Sequence, residues 1–409
     1  MNHGRGGKAY RWKSVGVGAL VALILGGIPL SAESELQNYL SREKNLLFDY
    51  QEEINRLQSS ILRKSWISPI LINYSETTST QPWDDHVTDR TFNVGIDQPI
   101  FKSGGIYYAV KFADVQEGAN RTEIELQRRA LIVQAVSTLF ELKKNRLQQK
   151  QLRLKIRNDT IDIRRKKEQY DAGLIDSSFL NQAILQRNRD QTTLLAMELT
   201  ERNLRNAFSL LSDKKPDGLK LPRLSFVGFD EYRSFNMELE AQRLRVAQSE
   251  YESKMTWSKY LPTLSLNANY YNTDSDRPLI GMNDDYYRYG FRVSMPININ
   301  APQEIEASRV AYLKEAVQLQ DDRRRVRSEY RLVLDTIAII DKKIALARSD
   351  ERLYRSLLQS TREQYRAGEK TQWDVETMKN SMGMAKLDAK IYGVEKQIQL
   401  LKLYTKINR

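Results

Sequence analysis

Four stretches of the chain alternate between apolar and polar residues, the pattern of β-strands with one apolar and one polar face. The candidate strands are residues 66–74, 92–100, 264–270 and 287–297. The first alternates less cleanly than the other three. Polar, turn-rich stretches at 75–88 and 272–285 separate the members of each pair. The sequence therefore predicts two β-hairpins, roughly 200 residues apart.

A long helix-forming run follows each hairpin. From Ile106 to Gln169 the chain has no proline, and its one glycine, Gly118, is tolerable in a helix at some cost. A second unbroken run covers 302–365. At ~1.5 Å per residue, each run predicts a rod of about 90 Å. Shorter helices are predicted at 33–63, 178–211 and 235–259. A last helix is predicted from the turn after the second rod to about residue 407.

The two halves of the chain share residues at matching places. The matching segments are Gln98-Pro99-Ile100 with Met295-Pro296-Ile297, and Tyr170-x-Ala172-Gly173 with Tyr365-x-Ala367-Gly368. The second pair has the glycine expected just beyond a helix end. An internal repeat of this length predicts a duplicated unit. We divide the chain into a first repeat at 33–211, a linker rich in proline and glycine at 212–230, and a second repeat at 231–409.

The N-terminus has the pattern of a secretory signal at residues 1–32. An apolar run at 15–25 follows four basic residues and precedes a small-residue cleavage point at Ser31-Ala32; the basic residues are Arg5, Lys8, Arg11 and Lys13. The alternative is a membrane anchor, but the apolar run is shorter than the ~18 residues that a spanning helix needs. With no cysteine, the chain can form neither a disulfide framework nor a thiolate metal site.

The charge and the reactive residues narrow the possible functions. The net charge of +12 is partly that of the signal, and the rest is spread over mixed-sign helix faces, so solvated surfaces are favoured over nucleic-acid binding. The only histidines are His3 and His86, so no histidine-based triad or histidine-rich metal site can form. We therefore predict neither an enzyme nor a cofactor.

The alternating strands pose a problem of closure. Apolar-out, polar-in alternation with aromatic residues at a strand end is typical of a transmembrane β-barrel, although one wet face of a soluble sheet explains each strand alone equally well. About eight strands are the usual minimum for a barrel, so four strands require several chains to share one. Three chains give twelve strands. Asp97, Arg288 and Arg292, on the polar faces, would then line a water-filled lumen.

Taken in order, these residues resemble the TolC-like outer-membrane efflux proteins of Gram-negative bacteria over nearly all of the chain beyond the signal. The residues that carry the resemblance are Gln98-Pro99-Ile100-Phe101 with Gly104-Gly105, Leu261-Pro262-Thr263-Leu264, Pro296-Ile297, and the two Tyr-x-Ala-Gly turns. One departure is that Asn298 to Pro302 replace the usual paired glycines.

The resemblance implies an α+β membrane protein that is a homotrimer. Its long antiparallel helices would form a periplasmic α-barrel, and each chain would give four strands to a shared twelve-stranded transmembrane β-barrel in the outer membrane. The implied function is passive: the exit duct of a tripartite efflux or type I secretion system. The implied partners are outer-membrane lipid, a periplasmic adaptor protein and an inner-membrane pump.

The resemblance also implies site residues. The two turns would contact the adaptor: Tyr170, Ala172, Gly173, Tyr365, Ala367 and Gly368. Asp374 stands where the family places an acidic ring at the periplasmic constriction, and Glu376 adjoins the family's next acidic position, occupied here by Thr377. Three Asp374 side chains near an axis would favour cations. The alternative is a solvated acid in the first turn of a helix, where its charge suits the helix dipole.

Two other classes of protein remain as alternatives. An exported coiled-coil scaffold or adhesin without a pore would explain the helices but leave the four alternating strands unexplained. Strict heptads would favour it, whereas broader apolar stripes favour packing against several neighbours. A basic nucleic-acid-binding rod is disfavoured by the predicted signal.

Overall fold

The computed structural model describes residues 39–81, 85–276 and 284–407, so the predicted signal at 1–32 lies outside it. Seven α-helices lie in these ranges: α1 Arg42–Arg63, α2 Gly105–Asp171, α3 Ser177–Ser209, α4 Phe229–Ser234, α5 Met237–Ser258, α6 Ala301–Arg366 and α7 Gln372–Tyr404. The four strands are β1 Leu71–Gln81, β2 Asp85–Phe101, β3 Thr263–Ser275 and β4 Asp285–Ser294. The described helices include none that is long and apolar enough to cross a membrane.

The strands form one antiparallel sheet in the order β1-β2-β3-β4. The prediction that 75–88 is a loop was wrong over most of that stretch, and the loop predicted at 272–285 was wrong only over 272–275 and at 285. Residues 82–84 and 277–283 lie outside the described residues. β1 and β2 stay paired from Leu71 opposite Gly95 to Gln81 opposite Asp85, and β3 continues to Ser275. Here both faces of the sheet are polar, so the alternation that identifies a strand is missing while the backbone pairing continues.

The first strand also begins later than predicted, at Leu71 rather than Trp66. The side chain of Gln98 takes the place of the missing ladder bonds. Its Oε1 accepts from the Ser68 N–H at 2.9 Å, and its Nε2 donates to the Trp66 carbonyl at 3.1 Å. β4 in turn ends at Ser294, so Met295 and Ile297 lie beyond it.

The two long helices match their predictions to within a few residues, and each ends in the same turn. Gly173 has φ +69° and Gly368 has φ +80°, the left-handed conformation in which a side chain is disfavoured. In the first turn, Gly173 N–H donates to the Tyr170 carbonyl and Leu174 N–H to the Gln169 carbonyl, both at 2.9 Å. The second turn has the same two bonds. These are Schellman motifs, which satisfy the last carbonyls of the helix.

The helices pack as a layer below the sheet. α2 packs against α1 and α5 near the sheet, and against α3 and α7 farther away, while α6 packs against α5 and then α7. The helix order is therefore α1-α2-α5-α6 near the sheet and α3-α2-α7-α6 at the far end. This places α1, α3 and β1 along one edge of the chain, and α6 and β4 along the other.

Two apolar cores lie midway along the layer, where the linker folds back. One joins α1, α2, α3 and α7 around Val136, Phe140 and Phe208. The other joins the linker, α4, α5, α6 and the end of α7 around Tyr232, Tyr330 and Leu403. The last described residue, Ile407, belongs to this second core. Beside it, Lys406 pairs with Glu329 at 2.7 Å and Glu238 at 2.9 Å. The division into two repeats remains a proposal, consistent with this element order.

Candidate functional site

The end of the helical layer farthest from the sheet carries both Tyr-x-Ala-Gly turns. The turns join α2 to α3 and α6 to α7. Tyr170 and Tyr365 are both 45% exposed, and Leu174 beside the first turn is 74% exposed. Open space surrounds Gly173 and Gly368, because a methyl group added at either glycine would meet no atom within 4 Å. The turns therefore form an accessible tip.

Asp374 lies at the start of α7, next to this tip. It forms a capping box with Thr371, in which Asp374 Oδ2 accepts from the Thr371 N–H at 3.0 Å and Thr371 Oγ1 accepts from the Asp374 N–H at 3.3 Å. Its other oxygen accepts from Arg165 Nη2 at 3.0 Å. The Thr371 N–H, followed in importance by the Thr371 hydroxyl and the Arg165 and Lys370 charges, holds the pKa of Asp374 below its usual range. Asp374 is therefore an ionised, internally paired carboxylate.

The sequence did not predict that two arginines at the end of α2 contact the start of α7. Arg165 pairs with Asp374, and the Arg164 guanidinium lies 4.6 Å from the ring centroid of Trp373. Both come from the last turns of α2, so two consecutive side chains of the first half hold the start of the last helix. No local signal identifies this contact, because its partners are about 200 residues apart in sequence. Glu376 lies half-buried one turn into α7.

The polar face of the sheet brings together the predicted lumen residues. Asp97 on β2 and Arg292 on β4 form an ion pair at 3.4 Å across the intervening strand β3. Arg288 stacks instead over aromatic rings, with its guanidinium 5.1 Å from the centroid of Tyr271. All three side chains thus lie on one face, opposite the exposed side chains of Tyr289 and Phe291.

The other face changes character along the strands. Near the helices it is apolar; its members include Ile72, Val94, Leu266, Phe291 and Val293. Toward the β1–β2 turn it becomes charged, with Arg90 3.3 Å from Asp274 and 3.7 Å from Glu76. An apolar band bordered by tyrosines and then by charges is typical of a strand face that meets lipid and then the membrane surface.

A carboxyl pair lies between α2 and α3, about three turns from the tip. Asp190 is buried and bonds Lys155 at 2.8 Å and Gln186 at 3.0 Å. Burial, and then the neighbouring Asp190, raise the pKa of Asp159 to about 6. In the described ranges no group of three histidine, cysteine or acidic residues could hold a metal ion.

A helical rod that ends in an open four-stranded sheet is the fold of the TolC-like outer-membrane channels. The chain is similar to the CmeC outer membrane channel of Campylobacter jejuni, with TM-score 0.72, 16% identity, and coverage of 91% of this chain and 84% of that one. It is similar to the outer membrane protein VceC of Vibrio cholerae, with TM-score 0.72, 15% identity and coverage of 91% and 96%. It is also similar to the open-state MtrE outer membrane channel of Neisseria gonorrhoeae, with TM-score 0.68, 14% identity, and coverage of 91% of this chain and 88% of that one.

The second half of the chain adds a match in sequence. Residues 230–404 match the model of the family described as outer membrane efflux protein. No curated protein matches the chain at a significant level. The resemblance to the TolC-like outer-membrane efflux proteins, and the fold that it implies, are therefore confirmed.

Proposed function

We propose that three copies of this chain form the passive exit duct of a tripartite efflux or type I secretion system in the outer membrane of a Gram-negative bacterium. Its partners would be a periplasmic adaptor protein and an inner-membrane pump. The observation that carries the proposal is the open sheet. In the described ranges, the outer edges of β1 and β4 pair with no strand, and the face between them carries an apolar band.

An open sheet edge is not viable in lipid, because each unsatisfied backbone group costs several kcal/mol. Joining β4 of one copy to β1 of the next removes both edges, and three copies reach twelve strands, above the usual minimum of about eight. Such head-to-tail contacts form a ring when the rotation closes.

The helices support the same head-to-tail arrangement. α1 exposes Leu47, Tyr50, Ile54, Leu57 and Ile61, which follow the alternating three- and four-residue spacing of a helix-packing seam. At a similar distance from the sheet, the opposite edge exposes Val310, Leu313 and Val317 of α6. Farther down, α3 exposes Leu195 and Leu199, and α6 exposes residues seven apart: Leu332, Ile339, Leu346 and Leu353. In a ring, the apolar edge of one copy can therefore cover the opposite apolar edge of the next copy.

The predicted site residues take their roles from this ring. Asp97, Arg288 and Arg292 would line its lumen, because their face of the sheet is the polar one. The turns at Tyr170, Ala172 and Gly173 and at Tyr365, Ala367 and Gly368 would meet the adaptor at the tip. Asp374 and Glu376 would lie near the constriction, with Arg165 restraining Asp374 while the tip is closed.

The first test is the native mass of the full-length protein extracted in detergent from outer membranes, followed by conductance in a planar bilayer. A trimer that forms discrete channels supports the proposal. A monomer or dimer in the soluble periplasmic fraction would contradict it, because four strands cannot close alone.

A further inference from the structure

A groove beside the linker is lined by four basic side chains and by no acidic one. It lies between α2, α7 and the linker and encloses about 1110 Å³. Its floor is apolar, with Phe140, Leu147, Leu221 and Val394 among its members. Its basic side chains are Lys143, Lys220, Arg223 and Lys390.

These four cations differ from the basic residues next to them. Arg146 and Arg205 both form ion pairs with the carboxylates of Glu201 and Asp217, at 2.6 to 3.2 Å. Within the described ranges, by contrast, no carboxylate forms an ion pair with any of the four groove cations. Like charges gathered over an apolar floor create a positive potential that favours an anionic ligand.

The linker also offers backbone groups to such a ligand. Residues 219–224 form neither helix nor strand and are held at two points. Gln397 hydrogen-bonds to both the N–H and the carbonyl of Leu224, and the Tyr39 hydroxyl donates to the Lys220 carbonyl at 2.6 Å. Between these points, the N–H groups of Leu221 and Arg223 have no hydrogen-bond partner in the part of the chain that the structure describes. A segment that is held at both ends and has free N–H groups can hydrogen-bond to the backbone of a bound peptide.

We propose that this groove binds an extended acidic peptide segment of a partner protein. Its carboxylates would pair with the four cations, alternate apolar residues would rest on the floor, and its backbone would hydrogen-bond to the linker. A second copy of this chain does not fit the site. Given the proposed trimer, copies meet at the α3 and α6 edges, whereas the groove lies between α2 and α7 in the middle of the layer.

The test is the binding of a fluorescein-labelled peptide of alternating glutamate and leucine to the full-length protein in detergent, followed by anisotropy. We expect saturable binding that weakens as salt is added, since these charges are exposed to solvent. The double variant Lys143→Glu/Lys390→Glu should weaken binding at least about tenfold. Lys167→Glu/Lys215→Glu, which changes the net charge equally at exposed lysines outside the groove, should leave it within about twofold.

A second pair of variants tests the groove itself without changing its charge. A Cβ at Gly393 meets nothing within 4 Å, so Gly393→Leu would fill the groove and Gly393→Ala would not. We expect a loss of at least about tenfold with leucine and little change with alanine. Three results would each overturn the proposal. The first is an equal loss of binding in the two double-charge variants, and the second is equal binding of a peptide of alternating lysine and leucine. The third is competition by inorganic phosphate or anionic phospholipid vesicles that is as strong as competition by the unlabelled acidic peptide. The readout does not depend on conductance, so it separates this inference from the channel function.

Discussion

Arg165 and Asp374 link the two halves of the chain at its tip, with Arg165 Nη2 3.0 Å from Asp374 Oδ1. The arginine comes from the end of α2 and the carboxylate from the start of α7. Asp374 also completes the capping box of α7. One side chain therefore both begins a helix and fastens that helix to its neighbour.

Replacing either partner should loosen this contact. We expect Arg165→Met and Asp374→Asn each to raise the fraction of time that the channel is open in bilayer recordings. Only Asp374→Asn should also lower the selectivity for cations, because it alone removes a negative charge near the proposed constriction. Glu369→Gln, at an exposed acid of the second turn, is the control. Unchanged opening in both variants would show that the ion pair does not restrain the tip.

The unpartnered edges of the chain predict where two copies meet. Ile54 on α1 and Leu313 on α6 lie on opposite edges, at similar distances from the sheet, so cysteines at both positions should crosslink between copies. The chain has no cysteine of its own, so no background reaction occurs. Ile54→Cys/Leu313→Cys should give covalent dimers and trimers under a short bifunctional reagent, and each single variant should stay monomeric on a denaturing gel. Bands that continue beyond the trimer would refute a closed ring of three.

Asp159 predicts a pH-dependent stability. Its pKa is raised to about 6 in the folded chain, so between its ordinary value and about 6 the folded state holds a proton that the unfolded state has released. Stability should therefore fall as pH rises through this window. The charged groups around it are Asp190 and Lys155, with Asp162 on its own helix.

The measurement is the thermal unfolding midpoint at pH 5 and pH 7.5. The asparagine of Asp159→Asn cannot ionise. The midpoint of this variant should therefore fall less between pH 5 and pH 7.5 than the midpoint of the unmodified protein. The control is Glu168→Gln, which removes an exposed carboxylate nearer the end of α2 that does not contribute to the pKa of Asp159. The same drop in all three proteins would exclude Asp159 as the responsible group.

Lys406 ties the end of α7 to α5 and α6. Burial alone would lower its pKa, but the carboxylates of Glu329 and Glu238 outweigh burial and raise the pKa. Lys406→Met would leave both half-buried carboxylates without their cation and should reduce the free energy of unfolding by about 2 kcal/mol. Lys402→Met, an exposed position one turn earlier, should change it by less than about 0.5 kcal/mol. Denaturant unfolding followed by circular dichroism would measure both, and equal losses would contradict the role of the pair.

The sequence predicts the long helices well because their signals are local. Gly173 and Gly368 mark the helix ends, and no proline interrupts either run. It predicts the strands only where one face is apolar, and so misses the polar part of the first hairpin and the Gln98 side chain that replaces ladder bonds. Contacts between distant segments leave no local trace. Arg165 with Asp374, and the linker folded over α2 and α7, required the structure.

In the proposed trimer, the open sheet would make membrane insertion a collective event. β1 and β4 contain 11 and 10 residues, and about half of the backbone groups along their outer edges point away from the sheet. A lone copy in lipid would carry these groups unsatisfied, at several kcal/mol each. Insertion must therefore wait for ring closure, so its rate should rise steeply with the local concentration of the chain. A subunit that arrives alone would remain at the membrane surface until two others join it.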